Sequence, residues 1–192
     1  MTLRVIAGKA KGRKLKSVPG DTTRPITDRV KESLFNIISG DVIDSNWWDV
    51  FAGTGAVGIE ALSRGAAFVR FTDSNRAPIE TIKFNVEHCG FKSQAEILRA
   101  DAFASLSSPA DRKFEYIYLA PPQYQDMWAK ALDLTDENMA WLSDDGWVIV
   151  QIAPKEYKAL ALENLEEFEQ RKYGSTLLVF YERMEAMQKE ST

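Results

Sequence analysis

Three aspartates each close an apolar run. Asp49 follows Trp47 and Trp48 and precedes the loop FAGTGAVG, Asp73 ends FVRFTD, and Asp101 ends EILRAD. A carboxylate just before a glycine loop repels a pyrophosphate but receives an ammonium group, directly or through water. An acid 24 residues further on accepts bonds from both ribose hydroxyls, and a third accepts from an adenine amino group. Taken singly, each reads as well as a helix cap or a solvated strand end. Together, at the ends of three consecutive strands, they describe a ligand with ammonium, ribose and adenine parts. Gly53, Gly55 and Gly58 also satisfy G-x-G-x-x-G, so a dinucleotide-dependent oxidoreductase is weighed as a rival. The three acids favour S-adenosylmethionine over NAD.

A second candidate is LAPPQY, Leu119 to Tyr124, directly after the apolar run FEYIYL. Two prolines after a strand make a stiff turn that lacks peptide N–H donors. Many enzymes that methylate amino groups on bases carry such a turn, usually with Asp or Asn where this chain has Ala120. An exocyclic amine is a poor nucleophile, because its lone pair is delocalised. Its attack on a methyl group needs acceptors that pull on the N–H bonds and take up developing positive charge.

These residues require an α/β framework. Residues 47–51, 67–73, 95–101, 114–120 and 146–152 read as strands, the last two as continuous apolar runs suited to a sheet covered on both faces. Helices are expected over 53–65, ended by Gly65, over 76–90, with Pro78 in the first turn and Gly90 as the stop, and over 128–146. Residues 165–183 read as a hairpin around Tyr173-Gly174-Ser175, with MEAMQKEST as a tail. Before the sheet, 3–6 and 13–18 form a short basic hairpin, and Thr27 caps a helix over 28–38 that presents Arg29 and Lys31 near it. The whole is one doubly wound α/β domain with an N-terminal appendage.

The 192-residue chain is 45% hydrophobic and 27% charged, as an ordinary globular domain is. No apolar run approaches a membrane span and no N-terminal apolar segment appears, so a cytoplasmic location is expected. One cysteine, Cys89, and one histidine, His88, cannot build a zinc cluster, and no metal is expected. His88 reads as a dipole partner at a helix end. Trp47, Trp48, Trp141 and Trp147 read as core, while Trp128 is divided between packing and lining a base pocket. The net charge of −4 hides an asymmetry: residues 1–31 carry an excess of seven positive charges, and the remainder an excess of eleven negative. A basic arm on an acidic body is a directional device for phosphate backbones, although a solvated hairpin has the same composition.

RVIAGKAKGRKL at 4–15, TRPITDRVKESLFNI at 23–37, DVFAGTGAVGIEALSRGA at 49–66 and the prolines at 121 and 122 occur in this order across the first two thirds of the chain. In these stretches the chain resembles the bacterial RsmD-type methyltransferases, which transfer methyl from S-adenosylmethionine to the N2 amine of a guanine in 16S ribosomal RNA. The arm and the second stretch are far more specific than the glycine loop. The resemblance implies a class I, Rossmann-like fold with a seven-stranded, mostly parallel sheet, a C-terminal antiparallel hairpin and a small N-terminal hairpin and helix. It divides the chain into a basic arm and packing helix over 1–40 and a cofactor domain over 41–192. It implies that Asp49, Phe51, Gly53, Thr54, Gly55, Gly58, Asp73, Asp101 and Ala102 hold S-adenosylmethionine. Arg4, Lys9, Lys11, Arg13, Lys14, Arg24 and Arg29 would hold 16S ribosomal RNA or the small ribosomal subunit, with the protein as a monomer. The turn of Ala120, Pro121, Pro122, Gln123 and Tyr124 would orient the base.

The turn departs from the family pattern at both ends, since Ala120 has no acceptor and Gln123 displaces the aromatic by one position. Three accounts follow. Gln123 and the carbonyls of 120 and 121 replace the acceptor while Tyr124 stacks on the base; the protein binds cofactor and RNA but is slow or silent; or the turn is a variant without catalytic meaning. An amino-methyltransferase acting on another RNA or on DNA adenine is a further rival.

Overall fold

A computed structural model describes residues 3–20, 26–123 and 125–184. Arg24, Tyr124 and all of the tail beyond Met184 lie outside the described residues.

The sheet has seven strands: β1 Asn46–Asp49, β2 Phe68–Asp73, β3 Ala95–Arg99, β4 Phe114–Leu119, β5 Leu142–Ile152, β6 Leu165–Tyr173 and β7 Thr176–Arg183. Their order is β3-β2-β1-β4-β5-β7-β6. The first five run parallel, and β7 is antiparallel to both β5 and β6. The strand order reverses between β1 and β4, the point at which open α/β sheets bind ligands beyond their carboxyl ends. The helices are α1 Asp28–Ile38, α2 Ala56–Arg64, α3 Arg76–Cys89, α4 Ala102–Leu106 and α5 Met127–Glu137.

Each sheet face has its own core. One packs Trp47, Phe71, Tyr116 and Tyr118 against α1, α2 and α3; the other packs Trp48, Ile117, Val148 and Val150 against α4 and α5. Most local signals act as their chemistry requires. The Thr27 hydroxyl accepts from Val30 N at 3.3 Å at the start of α1. Gly65 and Gly90 end α2 and α3 in the left-handed region, at φ 116° and 81°. Trp47, Trp48 and Trp141 are buried, and Trp147 packs on Phe168 and Phe180.

Three elements differ from the sequence expectation. Asp101 does not end β3, which stops at Arg99; it caps the short α4, accepting from Ala104 N at 2.8 Å. The helix expected over 128–146 ends at Glu137, and β5 begins four residues before Gly146. The polar stretch Ser143-Asp144-Asp145 is held extended by its partners: Ser143 Oγ donates to Phe114 O, Lys113 pairs with Asp144, and Arg183 donates to the carbonyls of Met139, Leu142 and Ser143. The N-terminal hairpin is a loop closed by one bridge, Arg4 to Lys14, rather than two regular strands.

That loop is anchored. Leu3, Val5, Ala10 and Leu15 are buried in the core that covers α2. Fully burying an aliphatic side chain contributes about 1.5–3 kcal/mol. Three such residues outweigh the repulsion among a few exposed lysines, so the basic segment is part of the fold.

Candidate functional site

The crevice lies beyond the carboxyl ends of β1, β2 and β4. Asp49, the last residue of β1, is 2% exposed. Burial pushes its carboxyl up to about 7, helped by the nearby charge of Asp73 and opposed by a hydrogen bond from Gly58 N at 3.4 Å. Asp73 ends β2 and accepts from Gly53 N at 3.1 Å and Asn75 N at 2.9 Å, fixing the loop between β1 and α2. Gly53 and Gly55 hold left-handed φ of 52° and 74°, and a side chain on Gly53 would meet nothing within 4 Å. The loop therefore leaves open space beside two carboxylates and the amino end of α2. A ligand carrying a cation and a hydroxylated ring fits those two acceptors.

Asp101 is exposed at the crevice edge. Beside it, Ala102 is buried, and Phe103 meets Phe51 edge to face with centroids 6.0 Å apart. Ala120 packs against the core, Pro121 is buried, and Pro122 and Gln123 are exposed. The turn thus follows β4 at the switch point, next to the strand that ends in Asp49. Below it, Tyr118 is fully buried and donates to Gln151 Oε1 at 2.6 Å; burial holds its phenol well above the ordinary range.

The basic segment runs along α2 and α3. Its hinge on α2 is Glu60, whose carboxylate is completely buried and accepts from Ile6 N at 2.8 Å and Ala7 N at 2.9 Å. Lys31 and Arg64 pair with the same carboxylate at 3.3 and 2.9 Å. Lys31 also donates to Arg4 O at 2.6 Å, and burial lowers its ammonium below the ordinary lysine range. Lys31 therefore stands near the arm as expected, but as a buried strut that presents no charge to solvent. Further along, Lys9 N and Ala10 N donate to Ser63 O and Oγ, while Lys16 N donates to Asn85 Oδ1. Lys9, Lys11, Arg13, Lys14 and Arg29 are exposed, and Arg4, also exposed, pairs with Asp28 at 2.8 Å.

A family model described as "Conserved hypothetical protein 95" matches residues 3–182. YlbH of Bacillus subtilis is 36% identical over 183 residues, covering 94% of this chain and 99% of its own. Ribosomal RNA small subunit methyltransferase D of Haemophilus influenzae is 34% identical over 151 residues, 78% of each chain. The chain belongs to the RsmD family. A solved structure of yhhF from Escherichia coli superposes with a TM-score of 0.84 at 28% identity, covering 95% of this chain and 98% of that one.

Sequence reasoning missed two residues that organise this candidate site. Glu60 was hidden because its partners Ile6, Ala7 and Lys31 are 29 to 54 positions away. Asn85, fully buried on α3, donates to Lys16 O and Thr54 O, both at 3.0 Å, and so joins the basic segment to the glycine loop. A polar residue among the apolar positions of a helix's inner face was the available signal for each, shared with Ser63 on α2 and Thr81 on α3. Trp128 proves to be core, 1% exposed, with no partner for its indole N–H among the described residues. His88 lies in the last turn of α3, as expected, and stacks on Phe84. No metal-binding cluster occurs among the described residues, and no helix there is long and apolar enough to cross a membrane. An open cleft of about 350 Å³ between Ser107, Ser108 and the end of α5 lies away from Asp49, at the far ends of α4 and α5.

Proposed function

We propose that the protein methylates the N2 amine of a guanine in 16S ribosomal RNA, using S-adenosylmethionine. The observation that carries this reading is the placement of the Pro121-Pro122 turn and Asp49 at the carboxyl ends of adjacent strands, at the switch point of an RsmD-family sheet. The relative from Haemophilus influenzae is named for the same class of substrate.

When bound, S-adenosylmethionine supplies an electrophilic methyl group on a sulfonium. Asp49 would receive its ammonium end, Asp73 the ribose hydroxyls, and Asp101 the adenine amine, with Phe51, Gly53, Thr54, Gly55, Gly58 and Ala102 shaping the pocket. Phe103, beside Asp101, adds an apolar wall. The carbonyls of Ala120 and Pro121 and the side-chain oxygen of Gln123 accept hydrogen bonds from the amine N–H groups. Pro122 stiffens the turn, and Tyr124 offers its ring to the base. Residues 1–40 serve as the RNA-holding appendage and 41–192 as the cofactor domain. Arg4, Lys9, Lys11, Arg13, Lys14, Arg24 and Arg29 contact phosphates, and the protein works as a monomer in the cytoplasm.

The test incubates unmethylated small ribosomal subunits with labelled S-adenosylmethionine. The wild type incorporates label, Gln123→Ala abolishes it, and Ala120→Asp raises it by up to about 10²- to 10³-fold, the usual worth of one oriented polar group. No label from the wild type with strong label from Ala120→Asp would establish a silent binder instead. Unchanged activity in Gln123→Ala would remove that residue from the mechanism.

A further inference from the structure

Phe84 is the one large aromatic at least half exposed among the described residues, at 51%, and it belongs to neither core cluster. The other exposed ring, Phe168, is held by Trp147 and Phe180 at 5.0 and 6.1 Å. Phe84 is flanked by groups of another kind. Its ring stacks on His88, with centroids 5.8 Å apart and planes 11° from parallel. The Lys16 ammonium lies 5.2 Å from its centroid, and the Arg13 guanidinium donates to the His88 carbonyl. Lys16 is placed there by its main chain, which the buried Asn85 grips through both N–H and carbonyl. Arg13, Lys14 and Lys16 form no ion pair among the described residues, whereas the neighbouring acids Glu80 and Glu87 are paired with Lys83 and Lys92 at 3.0 and 3.8 Å. The surface is thus an exposed ring pair bordered by unpaired cations.

We propose that Phe84 and His88 form a stacking platform for an unpaired nucleotide of the RNA, distinct from the base that reacts; the proposal rests on the RNA-substrate reading above. A nucleotide offers both matching parts, a π face for the ring and a phosphate for Lys16 and Arg13. Duplex RNA hides its base faces, so the platform selects single-stranded segments. Phe84 is eight residues into α3, roughly 12 Å along the helix from its crevice end, far enough for a separate nucleotide.

The test measures the anisotropy of a fluorescein-labelled single-stranded RNA of mixed sequence, and of a duplex containing the same strand, over a range of salt with the full-length protein. Phe84→Ala weakens single-strand binding by about 5- to 100-fold and leaves its salt dependence intact, while duplex binding stays within twofold. Phe84→Trp restores the affinity, and Lys16→Gln lowers the salt slope by about one. Unchanged affinity for S-adenosylhomocysteine shows that the variants fold. Single-strand affinity of Phe84→Ala within twofold of wild type, or an equal loss on duplex, overturns the platform. Absent methyl transfer with these effects intact would defeat the proposed activity and leave the platform standing.

Discussion

Burial pushes the Asp49 carboxyl up to about 7, so near neutral pH about half of the ligand-free molecules carry it protonated. A cationic ligand requires the ionised form. Affinity for S-adenosylhomocysteine, whose ammonium would meet Asp49, should therefore rise about tenfold per pH unit below 7 and level off above about pH 8. Calorimetry from pH 5.5 to 8.5 checks it, and a flat profile refutes the role. The fold feels the opposite sign. An unfolded chain releases this proton near pH 4 and the folded chain holds it to about 7, so stability falls as pH rises through that window. Asp49→Asn should then stabilise the free protein at pH 8 by on the order of 2 kcal/mol, read as a higher melting temperature, while weakening ligand binding at least tenfold. The placement of Asp49 was legible because a strand end followed by glycines leaves few alternatives, and that of Asp73 because it closes the next apolar run. The perturbed ionisation was not, since it depends on what α2 and Tyr118 of β4 bury around the carboxyl.

The loop over residues 3–15 is held to α2 by close approach as much as by hydrogen bonds. Gly8 has φ 80°, and a Cβ there would come 1.7 Å from the Ser63 carbonyl oxygen. Gly8→Ala should therefore lift the loop off α2 and free the backbone around the already exposed Lys9 and Lys11 for trypsin, with cleavage at least tenfold faster than in wild type; digestion followed by mass spectrometry reads it out. Cleavage at the wild-type rate would mean that the contact yields without cost. Helix ends were the most readable elements, because Thr27, Gly65 and Gly90 carry their cap chemistry locally. The early start of β5 was unreadable for the converse reason: its polar residues are extended only through Phe114, Lys113 and Arg183, which are distant in sequence.

At the scale of the whole molecule, the first docking point of the basic segment is separated from the chemistry. Lys9 and Ala10 dock on Ser63, near the carboxyl end of α2, whereas the glycine loop lies at its amino end, roughly 10 Å away. RNA that reaches both must be extended or folded across α2 and α3. Lys11→Gln with Lys14→Gln should thus lower the salt slope of RNA binding by about two and leave S-adenosylhomocysteine affinity unchanged, measured by anisotropy and calorimetry. A slope that stays constant would show that these lysines only solubilise the surface. The fold class was readable from alternating strands and helices, but not this separation, which depends on where the first residues dock.

The docking of that segment also sets an order in time. Its anchors are Glu60, Ser63 and Asn85, so Ile6, Ala10 and Lys16 cannot find their places until 53 to 69 more residues have been synthesised. At roughly 5–20 residues per second this is a delay of about 3–14 s. During that interval the growing chain displays its most positively charged stretch without the acidic body that later flanks it.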